Sequence, residues 1–220
     1  MVHDLIFEER PGSRRFSKQS QTKQNNLVSD SRHGLLLAID DFDNFKEVKN
    51  FNPTEISSEV ITTVRSLDER EELEPFIRAI LADMGETPHG PSEIADILTH
   101  KVTVKGRRGI AAFILKGKSF STVRPKDVSH QIYRLQKIEG LEFAILGAPG
   151  TILDPAKEEF CSTCQQIESH YAIFDAVDFA RLFVAHGFLC PRWQPDFARQ
   201  MQVWLFATKK NIKSAAEGIP

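Results

Sequence analysis

The feature that most constrains the fold of this chain is the alternation of short apolar runs with helical stretches from residue 67 onwards. Two apolar runs, 94–104 and 110–120, flank the sequence Lys-Gly-Arg-Arg-Gly, which is typical of a β-hairpin turn. Two later runs, 141–149 and 171–175, follow helical stretches and contain few polar residues, as strands covered on both faces do. This order predicts an α/β fold, a three-layer mixed sheet with helices on both faces.

The helical stretch 66–86 repeats its apolar residues at the spacing of one buried helix face. Ser66 or Asp68 is the expected N-cap, because short oxygen-bearing side chains accept hydrogen bonds from the first free backbone N–H groups. Pro75 is disfavoured inside a helix, where it lacks the N–H that the helix needs. The helix is therefore expected to start near Glu72.

The sequence predicts a main domain with less regular segments on either side. We expect a flexible N-terminal arm at 1–33, an N-terminal extension at 34–66, the main domain at 67–190 and a C-terminal extension at 191–220. The arm is polar and broken by Pro and Gly, which is typical of disorder. In the N-terminal extension, 34–42 is expected to be a strand and Thr54 to cap a short helix.

The low cysteine count and the absence of a membrane-length apolar run predict a cytoplasmic protein without a membrane partner. Cys161 and Cys164 have the spacing of zinc ligands, but both fall in a helical stretch where one could simply be core. The other candidate zinc ligands are His170, His186 and Cys190. Asp175 and Asp178 are expected to cap the last helix, with a second acidic site as the alternative.

Basic residues are concentrated in 101–137, which contains ten Lys or Arg and one acid, a net charge of +9 in a chain of net charge −2. Such a block is either a solvated surface or a face that binds phosphates. If the block is a face that binds nucleic acid, its predicted members are Lys101, Lys105, Arg107, Arg108, Lys118, Arg124, Lys126 and Arg134.

An ordered set of motifs runs through 67–189. The motifs are Ile-Leu-Ala-Asp-Met-Gly at 80–85, the loop 89–96 with its acids, Ile-Leu-Lys at 114–116, Gln131 on a helix and the run 171–188. In this order they resemble the PD-(D/E)xK superfamily, which has the restriction-endonuclease-like fold. The Mrr-type branch of that superfamily is the most similar.

The resemblance implies a metal-dependent DNA endonuclease that uses Mg²⁺ or Mn²⁺. Asp96 and Glu93 are then the expected metal ligands, Lys116 the catalytic lysine and Gln131 the glutamine of the following helix. A divalent ion bound by carboxylates polarises the phosphoryl oxygen and lowers the pKa of the attacking water. A lysine beside it stabilises the developing negative charge.

The chain departs from the family pattern at position 114, where Ile stands in place of an acid or Gln. An isoleucine cannot ligate Mg²⁺, so either Glu93 or Glu74 would have to supply the second carboxylate. The alternative is a catalytically inactive domain that binds nucleic acid or a protein partner inside a larger defence or repair assembly. The sequence leaves a homodimer, and the choice between DNA and RNA, open.

Overall fold

The structure, a computed structural model, describes residues 34–83 and 94–187. Its strands are β1 (Leu36–Leu37), β2 (Ile97–Val104), β3 (Arg107–Leu115), β4 (Thr122–Val123), β5 (Leu141–Gly147), β6 (Thr151–Ile152) and β7 (His170–Phe174). Its α-helices are α1 (Ser58–Arg65), α2 (Glu74–Ile80), α3 (Pro125–Leu135), α4 (Asp154–Gln166) and α5 (Ala176–Ala185).

Within the described residues, the main sheet has five strands in the order β1-β7-β5-β3-β2. Only β2 is antiparallel to its neighbour, whereas β3, β5, β7 and β1 pair in parallel. A separate parallel pair is formed by β4 and β6. The structure confirms the predicted α/β class and the mixed direction of the sheet.

Helices cover both faces of the sheet. Side chains along β3 alternate between the two faces, and each face packs into its own apolar core. Ala111, Phe113 and Leu115 pack into the core with α1, α2 and α5. Ala112 and Ile114 pack into the core with α3 and α4. The three predicted layers are therefore present.

The hairpin of β2 and β3 turns at Lys105 and Gly106, whose φ angles are +49° and +80°. A two-residue turn with positive φ at both positions matches the twist of an antiparallel pair. The turn is therefore shorter than the predicted Lys-Gly-Arg-Arg-Gly, and Arg107 and Arg108 begin β3.

Residues 34–66 contribute to the larger core and to the sheet. Phe42 and Phe45 are fully buried and meet Phe174 of β7 edge to face, at ring-centroid distances of 5.6 and 6.0 Å. The strand expected at 34–42 is only two residues long, followed by a 3-10 turn, Ile39–Asp41. The carboxylate of Asp41 accepts a hydrogen bond from the Ala38 N–H at 2.9 Å, which favours the turn over a longer strand.

The caps of the N-terminal helices differ in part from the expected ones. The Asn52 side chain, rather than Thr54, caps the 3-10 turn Pro53–Glu55, and Ser57 caps α1. Asp68 caps the opening turn as expected, but that turn, Glu69–Leu73, is π-helical and α2 begins only at Glu74. Because Pro75 then falls in the first turn of α2, its missing N–H breaks no hydrogen bond of that helix.

Several predictions fall outside the described residues. These are the arm 1–33, the C-terminal extension 191–220, Glu93 and Cys190. Among the helices that are described, none combines the length and the hydropathy needed to cross a membrane.

Candidate functional site

The candidate site lies at the edge of the sheet where β2 begins and β3 ends, which we call the open end. Asp96 immediately precedes β2 and Lys116 immediately follows β3, and the antiparallel pairing of these strands brings both to this edge. The carboxyl ends of β5 and β7 lie at the same edge, because both strands run parallel to β3. Ligands of α/β sheets commonly bind outside the carboxyl ends of the parallel strands.

Asp96 is fixed at the open end by hydrogen bonds to both carboxylate oxygens. One oxygen accepts from the Leu115 N–H at 2.6 Å and the other from the Gln131 side-chain amide at 3.0 Å. The Asp96 carbonyl accepts from the Arg78 guanidinium at 3.0 Å. With only 3% of the residue exposed, this carboxylate is buried, oriented and held beside the end of β3.

Lys116 is a buried lysine on the same side of the sheet as Ile114. Its N–H donates to the Gly147 carbonyl at 2.9 Å, which extends the β3–β5 pairing by one residue and preserves the alternation of side chains. Its ammonium lies 5.4 Å from the ring centroid of Phe120 and 3.9 Å from a carboxylate oxygen of Glu69. Asp96, Gln131 and Lys116 are thus gathered around the last two residues of the β3 ladder.

Two of the positions considered for a second carboxylate, 114 and 74, are both buried. Ile114 is fully buried in the core under α3 and α4. Glu74 is buried too, and its carboxylate accepts from the Arg78 guanidinium at 2.9 Å. Glu93 falls outside the described residues.

The structure places a further acid at the open end, Glu69, whose carboxylate lies 3.9 Å from the Lys116 ammonium. The sequence does not single it out, because it stands in an acidic run, 68–72, whose members cannot be ranked without the fold.

The donor chemistry of the open end fits a hard cation such as Mg²⁺. Asp96 contributes a carboxylate, whose oxygens are the hard donors that Mg²⁺ prefers, and Leu115 and Gln131 orient that carboxylate. Mg²⁺ keeps several of its waters and is commonly held by one or two carboxylates. Within residues 34–83 and 94–187, no three His, Cys, Asp or Glu side chains stand together as a ready-made metal cluster.

The predicted basic face is divided between the two ends of the hairpin. Lys105 pairs with Asp41 and Arg107 with Glu142, each at 2.9 Å. Both cations lie at the turn of the hairpin, the end opposite to Lys116, which we call the turn end. With nine residues in β3, the two ends are about 30 Å apart at roughly 3.3 Å per residue.

The other predicted basic residues follow the same division. Lys101 and Arg108 lie towards the turn end, and Arg108 donates to the His100 carbonyl at 2.6 Å. Arg134 is near the end of α3 that leads back to the start of β5, so it also belongs to that side. Lys118, Arg124 and Lys126 are exposed near the open end, around the start of α3. The prediction of a single basic face is therefore wrong, because the hairpin separates residues that are close in sequence.

Cys161 and Cys164 lie on α4, in the stretch predicted to be helical. Cys164 is fully buried in the core beneath α3 and α4. Burial raises the pKa of both the Cys161 and the Cys164 thiols, which disfavours the thiolate form that binds zinc. These features favour the packing interpretation over a zinc site.

A second charged cluster surrounds Arg181 on α5. Its guanidinium donates to both carboxylate oxygens of Asp40, at 2.8 and 3.0 Å, and to the carbonyls of Phe51 and Val48. Arg181, Asp40 and Asp178 line a cavity of about 880 Å³ beside β1 and β7. As predicted, Asp175 caps α5, accepting from the N–H groups of Val177 and Asp178.

We expect Asp178→Asn to raise the free energy of unfolding at pH 8. Burial, followed by the neighbouring charge of Asp175, raises the pKa of Asp178 from 3.8 to about 6. The stability contributed by its proton is therefore full below pH 3.8 and lost as the pH rises through about 6. The asparagine removes the buried charge, and the expected gain is about 1–3 kcal/mol.

The measurement is urea unfolding of both proteins between pH 4 and 8. The advantage of the variant should disappear near pH 4, where Asp178 is protonated in the folded chain. A difference that does not change with pH would contradict the raised pKa.

Three comparisons with known proteins complete the description of the site. No protein-family model, no curated protein and no solved structure matches this chain.

Proposed function

We propose that this protein is a divalent-metal-dependent DNA endonuclease of restriction-like type. The observation that carries the proposal is the arrangement at the open end, where a buried carboxylate, Asp96, is oriented by the N–H of Leu115, and the next residue, Lys116, is a buried lysine. Buried ionisable groups with defined partners at the edge of a sheet are typical of functional sites. The mixed sheet with helices on both faces is compatible with the restriction-endonuclease-like fold that the resemblance implies.

In the proposed reaction, Asp96 would hold the metal, which supplies Lewis-acid activation of the phosphoryl oxygen and of water. Gln131 and the Leu115 N–H keep the Asp96 carboxylate in one orientation, so no reorganisation is needed when substrate arrives. The Lys116 ammonium would donate a hydrogen bond to the attacking water and stabilise the negative charge that develops on the phosphate. Burial strengthens that interaction, because water is excluded from around the charge.

The test is incubation of the purified protein with supercoiled plasmid in Mg²⁺, in Mn²⁺ and in EDTA. Nicked or linear products in either metal, and none in EDTA, are expected. Absence of cleavage in both metals, from protein that is folded by circular dichroism, would reject the proposal. A single-stranded RNA substrate in parallel reactions distinguishes a ribonuclease from the proposed deoxyribonuclease.

The second candidate function is a catalytically inactive domain of the same fold that binds DNA. Two observations favour it: Ile114 occupies the position of the expected acid, and Lys116 already has a carboxylate of the same chain beside it. This candidate predicts DNA affinity that falls steeply with salt, with no cleavage in any divalent metal. Fluorescence anisotropy between 50 and 200 mM salt measures that dependence, and no affinity at low salt would reject both functions.

A further inference from the structure

The turn that opens α2 is fastened to the chain segment that follows β3. The Lys118 N–H donates to the Leu67 carbonyl at 2.8 Å, and the Lys118 ammonium lies 3.5 Å from a carboxylate oxygen of Asp68. The backbone nitrogen of Glu69 lies so close to Gly117 that a Cβ at position 117 would clash with it. Residues 67–69 and 116–118 therefore pack against each other as a single unit at the open end.

Hydrogen bonds within the turn hold Glu69 in place. The Asp68 carboxylate accepts from the Arg70 and Glu71 N–H groups at 3.0 and 3.2 Å, and the Glu72 carboxylate accepts from the Asp68 N–H at 2.6 Å. These bonds fix the start of a π-helical turn, Glu69–Leu73. Single π-helical turns occur frequently at functional sites.

The side chain of Glu69 reaches from this turn to the site lysine. Only 18% of the Glu69 side chain and 7% of the Lys116 side chain are exposed, and their charged atoms are 3.9 Å apart. Asp96 is bound to the Leu115 N–H, one residue before Lys116. Two carboxylates from different parts of the chain thus approach neighbouring residues at the end of β3, where Ile114 provides none.

We propose that Glu69 is the second carboxylate of this site, and that with Asp96 it holds the divalent cation. The inference rests on the proposed function for its chemistry, but it makes a separate claim, because cation binding can be measured without cleavage. Lys116, whose ammonium is 3.9 Å from Glu69 and which directly follows the residue whose N–H binds Asp96, would offset part of the repulsion between the two carboxylates when the cation is absent.

The test is Mn²⁺ binding, followed as the loss of the free Mn²⁺ signal in electron paramagnetic resonance. We expect Glu69→Gln to weaken Mn²⁺ affinity by about tenfold or more, and Asp96→Asn to do the same. Glu71→Gln is the matched control: it makes the same chemical change two residues away on the same turn, at an exposed position, and should alter affinity by less than about twofold. Glu69→Asp should recover part of the affinity, since it restores the carboxylate.

A purely structural role for Glu69 gives a different result. If Glu69 only neutralises Lys116, Glu69→Gln changes the melting temperature and leaves the Mn²⁺ affinity unchanged, whereas Asp96→Asn lowers the Mn²⁺ affinity. That result overturns the inference. No Mn²⁺ binding by the wild-type chain overturns it as well.

The outcome also separates this inference from the proposed function. Glu69-dependent Mn²⁺ binding without plasmid cleavage rejects the endonuclease and keeps the cation site. Metal-dependent cleavage that Glu69→Gln leaves at the wild-type rate keeps the endonuclease and rejects Glu69.

Discussion

Asp96→Asn and Lys116→Met should each reduce the rate of metal-dependent plasmid cleavage by at least about a hundredfold. The first change replaces the charged carboxylate with a neutral amide, whose oxygen can still accept from either the Leu115 N–H or the Gln131 amide. The second removes the ammonium while keeping an unbranched side chain of similar length, so the packing against Phe120 is largely retained. Single-turnover nicking of supercoiled plasmid, at saturating protein, measures the chemical step directly.

The controls are variants of exposed residues with the same charge changes. Asp43→Asn and Lys105→Met change exposed residues at the turn end, about 30 Å from the open end, and should leave the rate within about twofold of wild type. Circular dichroism and melting temperature establish that each variant is folded. Cleavage by Asp96→Asn at the wild-type rate would show that the site is somewhere else.

The largest loss of stability that we expect from one polar substitution is that of Arg181→Met. The side chain of Arg181 is only 7% exposed and binds Asp40 through two nitrogens, while the backbone carbonyls of Phe51 and Val48 depend on the same guanidinium. Removing one member of a buried ion pair leaves unpaired polar groups behind. Because Asp40 is itself partly exposed, we expect a loss of about 2–4 kcal/mol in urea unfolding, at the lower side of the range for such pairs.

A double-mutant cycle separates the ion pair from the other contacts of Arg181. Asp40→Asn alone should destabilise the protein, but it should cost little in the Arg181→Met background, because the partner is already gone. Equal effects in both backgrounds would mean that the two side chains do not interact. A loss below about 1 kcal/mol for Arg181→Met would mean that the Arg181–Asp40 ion pair contributes no more to stability than an ordinary surface pair.

The strands and layers of the main domain could be predicted because they depend on local pattern. Apolar runs separated by turn residues specify β2 and β3, and runs without polar positions specify β5 and β7. The prediction failed at 34–42, where one side chain, Asp41, bonds to the backbone and ends the strand after two residues. The pattern of apolar and polar residues does not show where a side chain will form such a competing hydrogen bond with the backbone.

The site could be predicted only in part, because its remaining members are brought together by tertiary structure. Asp96, Lys116 and Gln131 occupy positions that the resemblance marks. Gln131 bonds to Asp96 at the open end, and Lys116 follows the last residue of β3 at the same end. Glu69 stands 47 residues before Lys116 in a run of similar acids, so its proximity appears only in the folded chain. The prediction of a single basic face failed for the converse reason. Residues of the basic block are close in sequence but lie at opposite ends of a nine-residue strand.

The DNA affinity of two double variants tests most directly whether substrate binds at the open end. The affinity is measured in EDTA so that no cleavage occurs. Arg124→Glu with Lys126→Glu changes exposed residues beside the start of α3, where added acids are compatible with the helix dipole. Lys101→Glu with Arg108→Glu makes the same charge change towards the turn end. We expect the first pair to lower affinity by about tenfold or more and to reduce the salt slope by about two, with the second pair within about twofold of wild type. The reverse pattern would place DNA about 30 Å from Asp96 and would contradict a nuclease site at the open end.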